Sequence, residues 1–249
     1  MRVCLATVCI GDTCRQDYDM LFRDSHEAYA NRHGYDYHVV CEFLTDTHDP
    51  ALINMHKWMI CGPLAERNYD YIVFVDADML ISCRAPPIHV SMDFGDKIGV
   101  VNQSQPTLEA RHMVQQDKGY EVTAKEYYKK HANLDIDTDH IINSGCIVIQ
   151  PKHHAEYLEK MVSHFYHDIL HQSPGLHKDQ PFFGYQLQKD EMCVFMDMKW
   201  NAIWANNDYY MNVIKGESLS IQQFYDTNYF VHFAGHCGYD LIPGIKKQK

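Results

Sequence analysis

The 249-residue sequence holds no CxxC pair, no internal repeat and no Gly-, Ser- or Pro-rich linker, and it is short of positive charge. Its 22 Lys and Arg stand against 33 Asp and Glu, a net charge of −11 with 17 His counted neutral. That balance argues against a nucleic-acid surface, whose affinity comes largely from neutralising phosphates with Lys and Arg. Anionic membrane surfaces are disfavoured for the same reason. No apolar run approaches the roughly 18 residues of a membrane span. A short apolar stretch followed by Gly11-Asp12-Thr13 does not read as a secretory leader, so a soluble, cytoplasmic protein is expected. Nine cysteines, an odd number lying mostly in apolar runs, read as buried reduced thiols and not as a disulfide framework.

What is present is ordinary globular composition, 46% apolar and 22% charged, and one extended α/β domain is expected. Val3–Ile10 and Tyr71–Val75 are continuous apolar runs of the kind buried on both faces of a sheet. Between them lie a helical pattern from Tyr18 to Tyr29 stopped by Gly34, a strand at Tyr35–Val40, and a helix capped by Asp49-Pro50 that reaches about Arg67. Strand, helix, strand, helix, strand implies a parallel sheet with ligands at the carboxyl ends of its strands. Further strands are expected at Ile98–Val101, Ile141–Ile149, Met192–Met196 and Tyr229–Phe233. Helices are expected at Thr123–His131, His154–Gln172 and Asp179–Gln188, with the rest of 103–140 irregular.

Chemistry concentrates where these elements end. Asp76-Ala77-Asp78 places two carboxylates just past the most strand-like run, where they can hold a hard divalent cation, Mn2+ or Mg2+, that would neutralise a diphosphate. An Asx-turn with one structural carboxylate is the alternative. His232, between Val231 and Phe233, is either a satisfied core residue or a third ligand, with Gly235 allowing close backbone approach. Asn143-Ser144-Gly145 interrupts an apolar strand, as a bulge or a close-approach site. Asp179-Gln180-Pro181 reads as a helix cap, which is compatible with a role in chemistry. Trp200, Asn201 and Trp204 are either core or an aromatic platform for an acceptor sugar. His164, His167 and His171, with His177 beyond, read as a solvated helix face in preference to a second metal site.

These motifs, in this order, resemble a nucleotide-sugar-dependent glycosyltransferase of the GT-A fold: DxD (Asp76, Asp78), NSG (Asn143, Ser144, Gly145), DQ (Asp179, Gln180) and HFxG (His232, Phe233, Gly235). The nearest likeness is to the retaining glycogenin-like and xyloglucan-xylosyltransferase/galactomannan-galactosyltransferase families. Arg32-His33-Gly34-Tyr35 and Lys57-Trp58 match more loosely.

The resemblance implies a mixed, mostly parallel central sheet flanked by helices in one domain, with a nucleotide-binding half over about 1–102 and a sugar- and acceptor-binding half over 103–249. It implies that Asp76, Asp78 and His232 hold a Mn2+ bridging the diphosphate of a UDP-sugar donor. Thr7 and Val8 would lie against the uridine, and Asn143 would bond sugar hydroxyls. Ala77, Ser144 and Gly235 would line the nucleotide-sugar, and Asp179 with Gln180 would flank the reacting sugar carbon. The families follow HFxG with a lysine that reaches the diphosphate, where this chain has His236-Cys237-Gly238, so Lys57 or His236 is the candidate replacement. The acceptor implied is a glycan or another hydroxyl compound.

Two other readings stand beside this one. A haloacid-dehalogenase-like phosphatase would use Asp76 as nucleophile, but it expects Thr or Val where this chain has Leu80. A non-catalytic nucleotide-sugar- or glycan-binding module would keep the carboxylates for binding alone.

Overall fold

The computed structural model describes residues 1–171 and 179–246, so His177 and the end of the tail lie outside the described residues. The chain runs β1 (Val3–Val8), α1 (Asp12–Asp17), a π-helical turn at Tyr18–Phe22, α2 (Arg23–His33) and β2 (Asp36–Val40). A 3-10 stretch at Pro50–Met59, α3 (Cys61–Leu64), β3 (Tyr71–Val75), β4 (Met79–Ile81) and β5 (Ile98–Asn102) follow. Then come α4 (Leu108–Lys118), α5 (Ala124–Ala132), β6 (Ile142–Ile149), α6 (Pro151–Leu170), α7 (Gln180–Lys189) and β7 (Cys193–Met196). The chain closes with β8 (Ala202–Ile203), α8 (Trp204–Tyr209), α9 (Ile221–Thr227) and β9 (Phe230–His232).

Six strands form one sheet in the order β2-β1-β3-β6-β5-β7. β2, β1 and β3 are mutually parallel, as the alternation of strand and helix requires. β6 reverses direction, antiparallel to both β3 and β5, while β5 and β7 are parallel. The expected mixed, mostly parallel sheet is therefore present. Successive residues of β1 and β3 face opposite layers: Cys4, Ala6, Ile72 and Phe74 pack with α6 and α7, while Leu5, Val73 and Val75 pack with α2. Both faces are covered, which is why these strands read as unbroken apolar runs.

A second sheet of three short strands, β4-β9-β8, stands beside the carboxyl end of β3. Its outer strand β4 is closed off by α2: His26 Nε2 lies 2.7 Å from the Met79 carbonyl, and the Ile81 N–H donates to Ser25 Oγ at 3.1 Å. An edge that would otherwise present unpaired backbone is thereby satisfied.

Three expectations need correction. The helix from Asp49 to Arg67 is 3-10 over Pro50–Met59 before a single α turn; Pro63 has no N–H to continue an α ladder back to Met59. The Tyr18–Tyr29 helix begins earlier, at Asp12, and carries a π turn that turns both Tyr18 and Phe22 inward. The part of 103–140 expected to be irregular holds a further helix, α4, capped by Thr107, whose Oγ1 accepts from the Ala110 N–H, and ended by left-handed Gly119. Only Ala110, Arg111 and Val114 of α4 are buried, so its apolar stripe is too thin to see in the sequence.

Candidate active site

Asp76 leaves β3 at the carboxyl ends of the parallel strands, next to the point where β1 sends the chain to opposite sides of the sheet. This is where open α/β sheets bind ligands. The Asp76 N–H donates to the Gly145 carbonyl at 2.8 Å, and its own carbonyl accepts from the Met79 N–H at 3.2 Å. That turn delivers the chain into β4, which pairs with β9 in the register Met79↔His232. The Phe233 N–H donates to the Asp78 carbonyl at 3.0 Å. A residue more than 150 positions downstream is in this way brought beside the carboxylate pair.

His232 Nε2 stands 3.2 Å from Asp78 Oδ1 and 3.9 Å from Asp76 Oδ2. One ligand atom from each of the three residues lies within 4.8 Å of the others, and this is the one such His/Cys/Asp/Glu group among the described residues. The histidines of α6 make no comparable cluster; His167 and His171 stack on each other. Burial works against charge on the His232 imidazole, but Asp78 outweighs it and holds the pKa above the ordinary histidine value. Burial likewise works against the Asp78 carboxylate, and His232 carries its pKa below the usual range. The ion pair marks a place where positive charge is stabilised. Two carboxylates and an imidazole form a donor set that suits Mn2+, so the residues fit the expected cation.

Lys57 comes from the 3-10 stretch and is buried in the floor of the same site. Its Nζ donates to Asp76 Oδ1 at 2.8 Å and to Ser144 Oγ at 3.2 Å. Burial pushes against its charge, while Asp76 and then Asp179 hold its pKa above the ordinary lysine value. The neighbouring Trp58 turns the other way. Its indole Nε1–H donates to Asp179 Oδ2 at 2.6 Å, and its ring stacks on Phe183 of α7 at 4.6 Å. Asp179 does not cap α7 with its side chain; the carboxylate is committed to Trp58 instead. Burial raises its pKa, against the pull of Lys57 and the indole.

The NSG segment is shaped by a break in pairing. β5 pairs Gly99 with Val148 but Val101 with Asn143, so β6 bulges between them and lifts Asn143 and Ser144 toward the site. Gly145 has room only for hydrogen, because a Cβ there would lie 2.7 Å from His232 Cε1. The close approach read from the sequence is made by the His232 ring.

Lys57, Asp76, Asp78, Asn143, Ser144, Asp179, Gln180, His232 and Gly235 all line one cleft of about 540 Å³. Several anticipated residues do not. Thr7 is fully buried because β1 is covered on both faces, and Val8 packs against the α6 side of the core. Ala77 packs in the turn against the core beneath the small sheet. His236 stacks on Tyr239 at 4.9 Å, outside the lining. Trp200 packs against Tyr229 and Phe230, and Trp204 against Phe224. Both indoles are buried, as is Asn201, so the acceptor platform expected there is corrected to core.

Residues not anticipated also line the cleft, among them Asn54, Gln103 and Asn206. Gln103 follows β5 at its carboxyl end, a position that could have flagged it. Its Oε1 accepts from Gln180 Nε2 at 2.6 Å, and Tyr127 OH accepts from the same nitrogen at 3.0 Å. A larger cavity of about 860 Å³ lies at the opposite end of β3, with Asp70 as the single carboxylate in its lining.

No model of a protein family and no curated protein matches the sequence. Solved structures do match in fold. A glycosyltransferase involved in glycosylation of the major capsid of PBCV-1 aligns over 98% of this chain and 100% of its own, with TM-score 0.63 and 12% identity. The galactosyltransferase LgtC, solved with donor and acceptor sugar analogues, aligns over 98% and 94%, with TM-score 0.55 and 14% identity. The bifunctional glycosyltransferase WbbM aligns over 97% of this chain and 49% of its own, with TM-score 0.57 and 16% identity. The chain has the GT-A-type fold that these proteins share.

Proposed function

We propose that the chain is a metal-dependent glycosyltransferase that moves a sugar from a UDP-sugar to a hydroxyl of a glycan or other acceptor, with retention of anomeric configuration. The observation that carries this reading is the convergence of Asp76, Asp78 and His232 at the edge of a cleft whose other wall holds Asn143, Asp179 and Gln180. The fold shared with glycosyltransferases supports it. A cation at the three residues, Mn2+ or else Mg2+, would stabilise the charge that builds on a departing diphosphate.

The remaining roles follow from which atoms are already committed. Lys57, whose Nζ donates to Asp76 and to the Ser144 hydroxyl and carbonyl, keeps a fixed positive charge on the cleft wall that offsets phosphate charge where the expected downstream lysine is missing. Asn143 Oδ1 accepts from the Gly145 N–H and from Asn201 Nδ2, which leaves Nδ2 of Asn143 to donate to a sugar hydroxyl. Gln180 Nε2 is spent on Gln103 and Tyr127, which leaves its Oε1 for the donor sugar. Asp179, held by Trp58, supplies negative charge to an oxocarbenium-like carbon. The bond from that carbon to the diphosphate oxygen breaks, the acceptor oxygen bonds to it from the same face, and the acceptor proton passes to the departing phosphate. Holding the reactants in place can supply about 7–11 kcal/mol. Residues 1–102 form the nucleotide-binding half and 103–249 the sugar and acceptor half.

The test is a panel of UDP-sugars with Mn2+, read as slow release of UDP. Wild type hydrolyses at least one donor, and Asp78→Ala loses at least 10²-fold of that rate, the scale of one preorganised electrostatic group. Binding of UDP-sugars without turnover would favour a non-catalytic module. Acid-stable phosphate on Asp76 would favour the phosphatase, and a product of inverted configuration by NMR would overturn retention.

A further inference from the structure

We infer that Asn201 is a positioning residue that sets the tautomer of His232 before any cation arrives, through a hydrogen-bond relay anchored on the backbone of the NSG strand. The inference rests on the reading of Asp76, Asp78 and His232 as a cation centre.

The direction of every bond in the relay follows from its first member. The Gly145 backbone N–H can only donate, and it does so to Asn143 Oδ1 at 3.0 Å. The Asn143 atom at that place is therefore oxygen. Asn201 approaches the same oxygen at 2.7 Å, so its approaching atom must be the amide nitrogen. Its other terminal atom is then oxygen, and this is the atom 2.8 Å from His232 Nδ1. An amide oxygen only accepts, so Nδ1 carries the hydrogen. In the neutral ring Nε2 is left with its lone pair, and Nε2 is the nitrogen facing Asp78 and Asp76. Fixing one imidazole nitrogen by a hydrogen bond so that the other can ligate is a general device of metal sites.

The rest of the structure holds this relay still. Asn201 is fully buried, with 0% of its surface exposed, so bulk water does not compete for its oxygen. Its backbone carbonyl accepts from Gln105 Nε2 at 2.7 Å, while Gln105 Oε1 accepts from the Ile203 N–H at 2.9 Å. The ring itself is pressed against the hydrogen-only side of Gly145.

Two measurements test the proposal without requiring turnover. The first is long-range 1H–15N NMR of the metal-free wild type at alkaline pH, where the neutral ring is expected as the Nδ1–H tautomer; an Nε2–H ring overturns the proposal whatever the variants do. The second is Mn2+ affinity by electron paramagnetic resonance for wild type, Asn201→Leu and Asn201→Asp. Asn201→Leu has no acceptor and is expected to bind Mn2+ about 10–100-fold more weakly. Asn201→Asp keeps an oxygen toward Nδ1 but sets its second oxygen against Asn143 Oδ1, where the amide N–H stood, and is expected to lose less Mn2+ affinity than Asn201→Leu. Folded Asn201→Leu with wild-type affinity, or equal losses in both variants, overturns the positioning role alone. Wild type that takes up no Mn2+ overturns the cation reading together with it.

Discussion

The two sheets of this molecule are built by opposite means, and the candidate cation centre lies where they meet. The large sheet is long and self-sufficient: all eight residues of β6 are buried, and β3 is apolar along its length. The small sheet has strands of two or three residues, held by Leu80, Val231 and Phe233 packing among Trp204, Phe224 and Tyr225. Asp76 hangs from the large sheet, whereas His232 is placed by the three-pair register of β4 and β9. The stable half sets the location of the site, and the slighter half closes it.

That contrast is most sharply exposed by truncating one large side chain in each sheet. Phe230 is fully buried and meets Tyr29 and Trp200 edge-on, each at 5.2 Å. Phe230→Ala is expected to cost about 3–5 kcal/mol in chemical denaturation and to weaken Mn2+ binding in the protein that remains folded. Ile149→Ala, at the far end of β6, should cost about 2–5 kcal/mol yet leave Mn2+ affinity unchanged. Equal losses of Mn2+ affinity in both variants would erase the distinction.

A smaller effect is expected at the seam. Gly145→Ala drives a methyl group toward the His232 ring. The expected outcome is about 1–3 kcal/mol of destabilisation, as for overpacking elsewhere, with a loss of Mn2+ affinity larger than that of Ile149→Ala.

The smallest effect is in pH dependence. The folded His232 pKa lies above the unfolded value of about 6.5. Its contribution to stability is therefore complete below that value and is lost as pH rises through the folded pKa. Thermal melts of chelator-treated protein should fall as pH rises from about 6.5 through the folded pKa, and His232→Gln should flatten the fall.

The same contrast explains what was legible in the sequence. β1, β3 and β6 announce themselves because burial on both faces demands continuous apolar residues, and DxD is visible because it follows such a run. β4 and β8 are too short to show a period of two, and the β4–β9 register joins segments far apart in the chain. The pairing of His232 with Asp78 could thus be anticipated from motif order, whereas spacing alone is silent on it. Gly145 advertised a close approach without naming the approaching group. The indoles of Trp200 and Trp204 were ambiguous because core aromatics and sugar platforms share a composition; their burial decides for core. Lys57-Trp58 gave no hint that adjacent side chains diverge, one to Asp76 and one to Asp179, because that divergence belongs to the 3-10 geometry of the segment.

The central claim is that a cation at Asp76, Asp78 and His232 is what lets so acidic a protein hold a diphosphate. Calorimetric titration of UDP tests it directly. Binding should be measurable with Mn2+ and disappear in EDTA; equal affinity under both conditions would contradict it.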